Sequence, residues 1–170
     1  MTRSRSLFLI FAWTLLPAAA SADEVVRNAF GDPFFRVRSG IPSCPEPLGP
    51  FMTEEQKLRQ THHRLERGTR CWLAKKCDKP SAYMYDADIG RDVRARFEAS
   101  GAMRDTSLWV TVQGRIVRVE GCVGSSRAER EIKRLLHDVP DVDGLLVSVS
   151  KNPRAAAPYA VPGPGQRRAD

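Results

Sequence analysis

Residues 108–123 read LWVTVQGRIVRVEGCV, two runs of apolar alternation on either side of Gly114-Arg115. Leu108, Val110 and Val112 recur at every second position, and Val117 and Val119 resume the pattern after the break. An alternation of this kind belongs to a strand with one buried face. Glycine at the first central position of a two-residue connection suits a type II′ turn, so the stretch predicts a tight hairpin. With that turn Val112 lies opposite Val117 and Val110 opposite Val119, which makes one face apolar. Trp109, Thr111, Ile116, Arg118, Glu120 and Cys122 fall on the other face.

Both flanks of the hairpin carry helical spacing instead. Upstream, Ile89, Val93 and Phe97 form one stripe at i, i+4 and i+8, with Asp88 placed to cap the helix and Ser100-Gly101 to end it. Downstream, Ser126-Arg127-Ala128-Glu129 has the form of a capping box. It opens a helix with Ala128, Ile132, Leu135, Leu136 and Val139 on one side and Arg127, Arg130, Lys133, Arg134 and His137 on the other. Pro140 stops that helix, and Leu145, Val147 and Val149 alternate after Asp143-Gly144. The order α-β-β-α-β predicts an α+β unit over residues 86–150, a three-stranded sheet with both helices on its apolar face.

In this order and in the strand motif Val117, Val119, Gly121, Val123, the segment resembles the BON domain, a small module of bacterial envelope proteins. The segment after the second helix in that family usually carries Gly between two valines, and Asp141 stands at that place here. The resemblance covers roughly 65 residues and rests on apolar and glycine positions, which specify a fold and not an activity. It implies an αββαβ module that associates with phospholipid surfaces or with other envelope proteins, and it brings no catalytic residues with it.

Outward from the module the text changes character. Residues 151–170, KNPRAAAPYAVPGPGQRRAD, contain four prolines and no apolar periodicity, and they read as a disordered basic tail. Residues 23–85 hold three of the four cysteines and few apolar runs, with one helix expected near 54–67 behind the capping box Thr53-Glu54-Glu55-Gln56. Leu58, Thr61, His62 and Leu65 share one side of it. Residues 1–22 have the grammar of a signal peptide: Arg3 and Arg5, an apolar stretch from Leu7 to Leu16, Pro17, and Ala20-Ser21-Ala22. Cleavage there predicts a mature chain that starts at Asp23 and is not an integral membrane protein, exported to the periplasm.

Export governs how the remaining residues are read. Of the 27 basic and 20 acidic side chains in 170 residues, 25 and 20 stay after cleavage, a net of +5. With 42% hydrophobic and 28% charged residues, the composition is that of a globular chain too short for a large multidomain enzyme. Cys44, Cys71, Cys77 and Cys122 favour two disulfides in an oxidising compartment. Three pairings remain open. The spacing favours Cys71–Cys77 as a local loop and Cys44–Cys122 as a staple onto the bare sheet face. The local pair forbids a continuous helix from 71 to 77, whose ends would lie about 9 Å apart.

Chemistry finds little support. His62-His63 with Cys71 and Cys77 lacks zinc-knuckle spacing, so no metal and no cofactor are expected. Ser125-Ser126 are explained by helix capping, and there is no G-x-S-x-G elbow, so no enzyme is expected. Gly121-Cys122-Val123-Gly124 joins a strand to a helix in an exported chain, which argues against nucleic acid. The candidate binding residues are Arg127, Arg130, Lys133 and Arg134, a cationic helix face suited to an anionic phospholipid surface. The alternative is a periplasmic protein–protein interaction module within a larger envelope assembly.

Overall fold

The computed structural model describes residues 24–101 and 103–169. The signal-peptide segment and the start at Asp23 lie outside the described residues. In chain order the elements are β1 (Glu24–Arg27), β2 (Phe34–Ser39), α1 (Glu54–Glu66), α2 (Thr69–Leu73), a 3-10 turn (Ala82–Tyr85), α3 (Asp86–Ser100), β3 (Thr106–Gln113), β4 (Ile116–Val123), α4 (Ser126–Leu136), β5 (Gly144–Ser150) and β6 (Gln166–Ala169). The protein is a mixed α+β structure.

β3 and β4 form the expected hairpin, with Val112 opposite Val117 and Val110 opposite Val119. The turn type differs from expectation. Gly114 and Arg115 both have positive φ, 58° and 68°, which is the type I′ pattern. The cause lies outside the hairpin: the buried Asp86 carboxylate accepts the amides of Gly114 (2.6 Å) and Arg115 (2.8 Å). Two charge-assisted hydrogen bonds offset the cost of left-handed backbone at arginine. Asp88 is correspondingly not the helix cap. α3 starts at Asp86, and Asp88 pairs with Lys79 and Arg91 in the first turn. The cap of α4 is Ser125, one residue earlier than expected, whose hydroxyl accepts the Ala128 amide, so the motif is no capping box.

α4 carries the chain across to β5, which joins β4 in parallel from Ile116↔Gly144 to Cys122↔Ser150. The sheet has four strands and not three, in the order β2-β3-β4-β5. β2 reads FFRVRS, too polar to announce itself, but it pairs antiparallel with β3 and lays Phe35 and Val37 against the core. Without it β3 would be an open edge. The core is Ile89, Val93 and Phe97 of α3, Ile132 and Leu136 of α4, and the inward leucine and valines of β3 and β4. Gly121 is required within it: a Cβ there would meet the Ser107 carbonyl oxygen at 2.0 Å.

The opposite sheet face is covered. Trp109, Cys122 and Cys44 form a second buried cluster, with Phe34 and Ile41 packed against it. Disulfides join Cys44 to Cys122 (Cα–Cα 5.7 Å) and Cys71 to Cys77 (Cα–Cα 5.4 Å). α2 ends at Leu73, so no helix separates the second pair.

The tail expected to be disordered is instead part of this cover. Tyr159 donates its hydroxyl to the Pro45 carbonyl at 2.8 Å, and Leu48 donates its amide to the Ala160 carbonyl at 2.7 Å. β6 then pairs in parallel with β1, and Arg168 lies over the Phe51 ring and pairs with Glu46. Main-chain hydrogen bonds and an arginine hold it, neither of which leaves an apolar pattern in sequence.

Candidate functional site

The four cations singled out in the sequence, Arg127, Arg130, Lys133 and Arg134, all stand exposed on α4, while Ala128, Ile132 and Leu136 are buried beneath. The amphipathic spacing causes this division: burying the apolar stripe forces the cations outward. The structure therefore brings all four to one solvent face. It also shows how much of their charge is engaged. Lys133 pairs with Glu129 at 2.8 Å and Arg134 with Glu131, each within one turn. These cations hold both carboxyls below the usual carboxylate range, and Glu131 raises Arg134 in return. Arg127 and Arg130 make no ion pair among the described residues. Lys151 extends the positive face, donating to the Ser126 hydroxyl at 3.1 Å from the first turn of α4. The face carries four cations against two carboxylates, and such exposed pairs give up their partners at little cost.

A hollow of about 320 Å³ lies beside the first turn of α4, and Asp105 and Glu131 line it together with Arg127. Two carboxylates facing one guanidinium do not favour a small anion there. Among the described residues no group of three or more His, Cys, Asp or Glu is arranged to hold a metal ion. His62 is exposed and faces Glu66, and Cys71 and Cys77 are bonded to each other.

The N-terminal helix is placed the other way round from its sequence pattern. Thr53 and Gln56 form the expected capping box. Leu58 and Leu65, on the side that spacing would assign to the interior, are 68% and 72% exposed. α1 is held by its opposite side, where the buried Arg64 forms a two-pronged ion pair with Asp32. Its guanidinium lies between the rings of Phe30 (3.8 Å) and Tyr83 (4.2 Å). Gln113 of β3 donates to the same carboxylate at 2.7 Å, which ties α1 to the hairpin.

α2 follows at once and exposes Trp72 and Leu73 within the loop that the Cys71–Cys77 bond closes. Arg70, Lys75 and Lys76 are exposed on either side of them in sequence, and Lys75 lines a shallow hollow with both. Sequence reasoning passed over this second cationic surface. Its signal was the string RCWLAKKC, an apolar pair between cations inside a cysteine-bounded loop.

Among the described residues no helix is long and apolar enough to cross a membrane. The two disulfides are compatible with an exported protein in an oxidising compartment. No family model, no curated protein and no solved structure matches the chain.

Proposed function

We propose that this chain is a non-catalytic envelope protein, exported to the periplasm, whose αββαβ unit associates with anionic phospholipid surfaces. The observation that carries the reading is the outward face of α4, where Arg127, Arg130, Lys133 and Arg134 share one exposed surface with Lys151 beside it. Each such cation contributes about 1 kcal/mol near an anionic leaflet, so the face supplies a useful but salt-sensitive attraction.

Two backbone features support the likeness to the BON module. Gly121 sits where no Cβ fits. Asp141, which stands where that family carries glycine, has φ 62°, the left-handed conformation glycine adopts most readily.

The test is flotation of residues 23–170 with phosphatidylglycerol-containing and with purely phosphatidylcholine vesicles, at low and high salt. The proposal expects stronger binding to the anionic than to the neutral vesicles, weakened in high salt. It also expects the triple variant R127E/R130E/R134E to bind at least about tenfold more weakly with unchanged thermal stability. Failure of the wild-type chain to float with anionic vesicles overturns the reading in favour of a protein partner.

A further inference from the structure

α1 and α2 are consecutive, joined across Arg67-Gly68, and between them they leave four large apolar side chains in water. Leu58 is 68% exposed, Leu65 72%, Trp72 44% and Leu73 69%. Helices of a folded chain ordinarily bury such a set. Here the inward side of α1 is taken by Arg64 and its aromatic neighbours, so the apolar side has nothing to pack on.

The outermost part is not a helix end free to fray. Leu73 is the last residue of α2, and the chain returns at Cys77 to bond with Cys71. The tip is anchored beyond the disulfide as well: Tyr85 accepts the amides of Asp78 and Lys79, both at 2.9 Å, and Lys79 pairs with Asp88 of α3. Trp72 and Leu73 are thus presented on a covalently closed loop fixed to the domain.

Their surroundings select the occupant. Between residues 67 and 79 there are five cations and one carboxylate. Three of those cations, Arg70, Lys75 and Lys76, are exposed and lie two or three residues from the Trp-Leu pair in sequence. Protruding apolar groups ringed by lysine and arginine match the layered chemistry of a bilayer, with anionic headgroups outside and acyl chains beneath. Tryptophan prefers that boundary because its ring is apolar and its N–H is polar.

We propose that the disulfide-closed tip bearing Trp72 and Leu73 inserts into the headgroup–acyl boundary of an anionic phospholipid bilayer, with Arg70, Lys75 and Lys76 on the headgroups. The assignment rests on the phospholipid reading above and adds to it a second, penetrating contact outside the αββαβ unit. α4 supplies long-range attraction, and the tip supplies an apolar anchor that salt does not screen.

The experiment uses residues 23–170 and vesicles of equal parts phosphatidylglycerol and phosphatidylcholine. Of the three tryptophans Trp13 precedes residue 23, so residues 23–170 carry Trp72 and Trp109, and Trp109 is buried. Vesicle addition should shift Trp72 emission to the blue and shield it from a water-soluble quencher. The variant W72S/L73S should bind at least about tenfold more weakly, the scale of withdrawing one Leu-sized side chain from an apolar phase. Its melting temperature should match wild type because both residues are exposed.

Several results overturn the inference. If W72S/L73S binds as wild type does while R127E/R130E/R134E does not, the tip is dismissed and the phospholipid reading stands. If wild type binds no vesicle, the phospholipid reading itself falls and takes the tip with it. A wild-type dimer in sedimentation that W72S/L73S abolishes assigns the tip to a second copy of the chain.

Discussion

At the scale of single residues, two buried or half-buried carboxylates do opposite things. Asp86 lies beneath the β3–β4 turn, and burial pushes its pKa up while the amides of Gly114 and Arg115 pull it down. Among the described residues no other acceptor serves those amides, so Asp86→Ala strands two donors and removes the contact that offsets the positive φ of Arg115. A loss of about 2–4 kcal/mol is expected in urea unfolding, with no change of fold. Glu120 is on the opposite sheet face, and its neighbourhood raises its pKa by desolvation, with Arg118 opposing. Burial raises the Tyr159 hydroxyl, and the same Glu120 carboxylate adds to that. A carboxyl raised in the folded chain binds its proton more tightly there than when unfolded. Stability therefore falls as pH rises from the ordinary carboxylate range through the raised value. Glu120→Gln should gain up to about 1 kcal/mol at neutral pH, a small figure because the group keeps part of its water. Thermal melts should show the gain shrinking as pH falls and gone below about pH 4, as the carboxyl becomes protonated both folded and unfolded. Neither role has a pattern in the sequence, because each depends on groups 28 or more positions away.

At the scale of elements, legibility follows the origin of each element's stability. α3, α4, β3, β4 and β5 bury apolar stripes, and those stripes are spaced in the sequence by the period of the element. The basic face of α4 was legible for the same reason, as the complement of its buried stripe. α1 shows the limit. Its existence was readable from the capping box, whose contacts span three residues. Its orientation was not, since a charged residue forms its buried side. Asp32→Ala should expose this: Arg64 would be left charged and unpaired in a buried site, at a cost of about 3–5 kcal/mol. Hydrogen exchange should then show α1 opening ahead of α3 and α4, because Asp32 also accepts from Gln113. β2 and β6 were missed because their partners, not their own composition, make them strands.

At the scale of the whole molecule, the αββαβ unit is wrapped on its bare face by the segment around Cys44 and by the tail. Cys44–Cys122 ties that wrapping down across 78 residues, whereas Cys71–Cys77 closes only six. Loop-closure entropy makes the two unequal, about 4.5 kcal/mol for the long loop and about 2 for the short one. The C44A/C122A variant should therefore lose roughly twice the stability of C71A/C77A in denaturant unfolding. It should also expose Trp109 to a quencher, which C71A/C77A should not. A larger loss from the short loop would contradict the covering role of residues 34–52. By itself the sequence determined the hairpin register, the two packed helices, the crossover to β5, and the need for a cover over Trp109 and Cys122. Each of these follows from local periodicity or from the cost of leaving apolar groups in water. Only the tertiary structure decided the turn type, the fourth strand, the ordered tail and the outward apolar side of α1 and α2. The turn and the setting of α1 arise from polar contacts between distant residues, Asp86 with Gly114 and Arg115 or Arg64 with Asp32. The fourth strand and the tail arise from main-chain pairing with distant segments, and none of these contacts leaves a period to read.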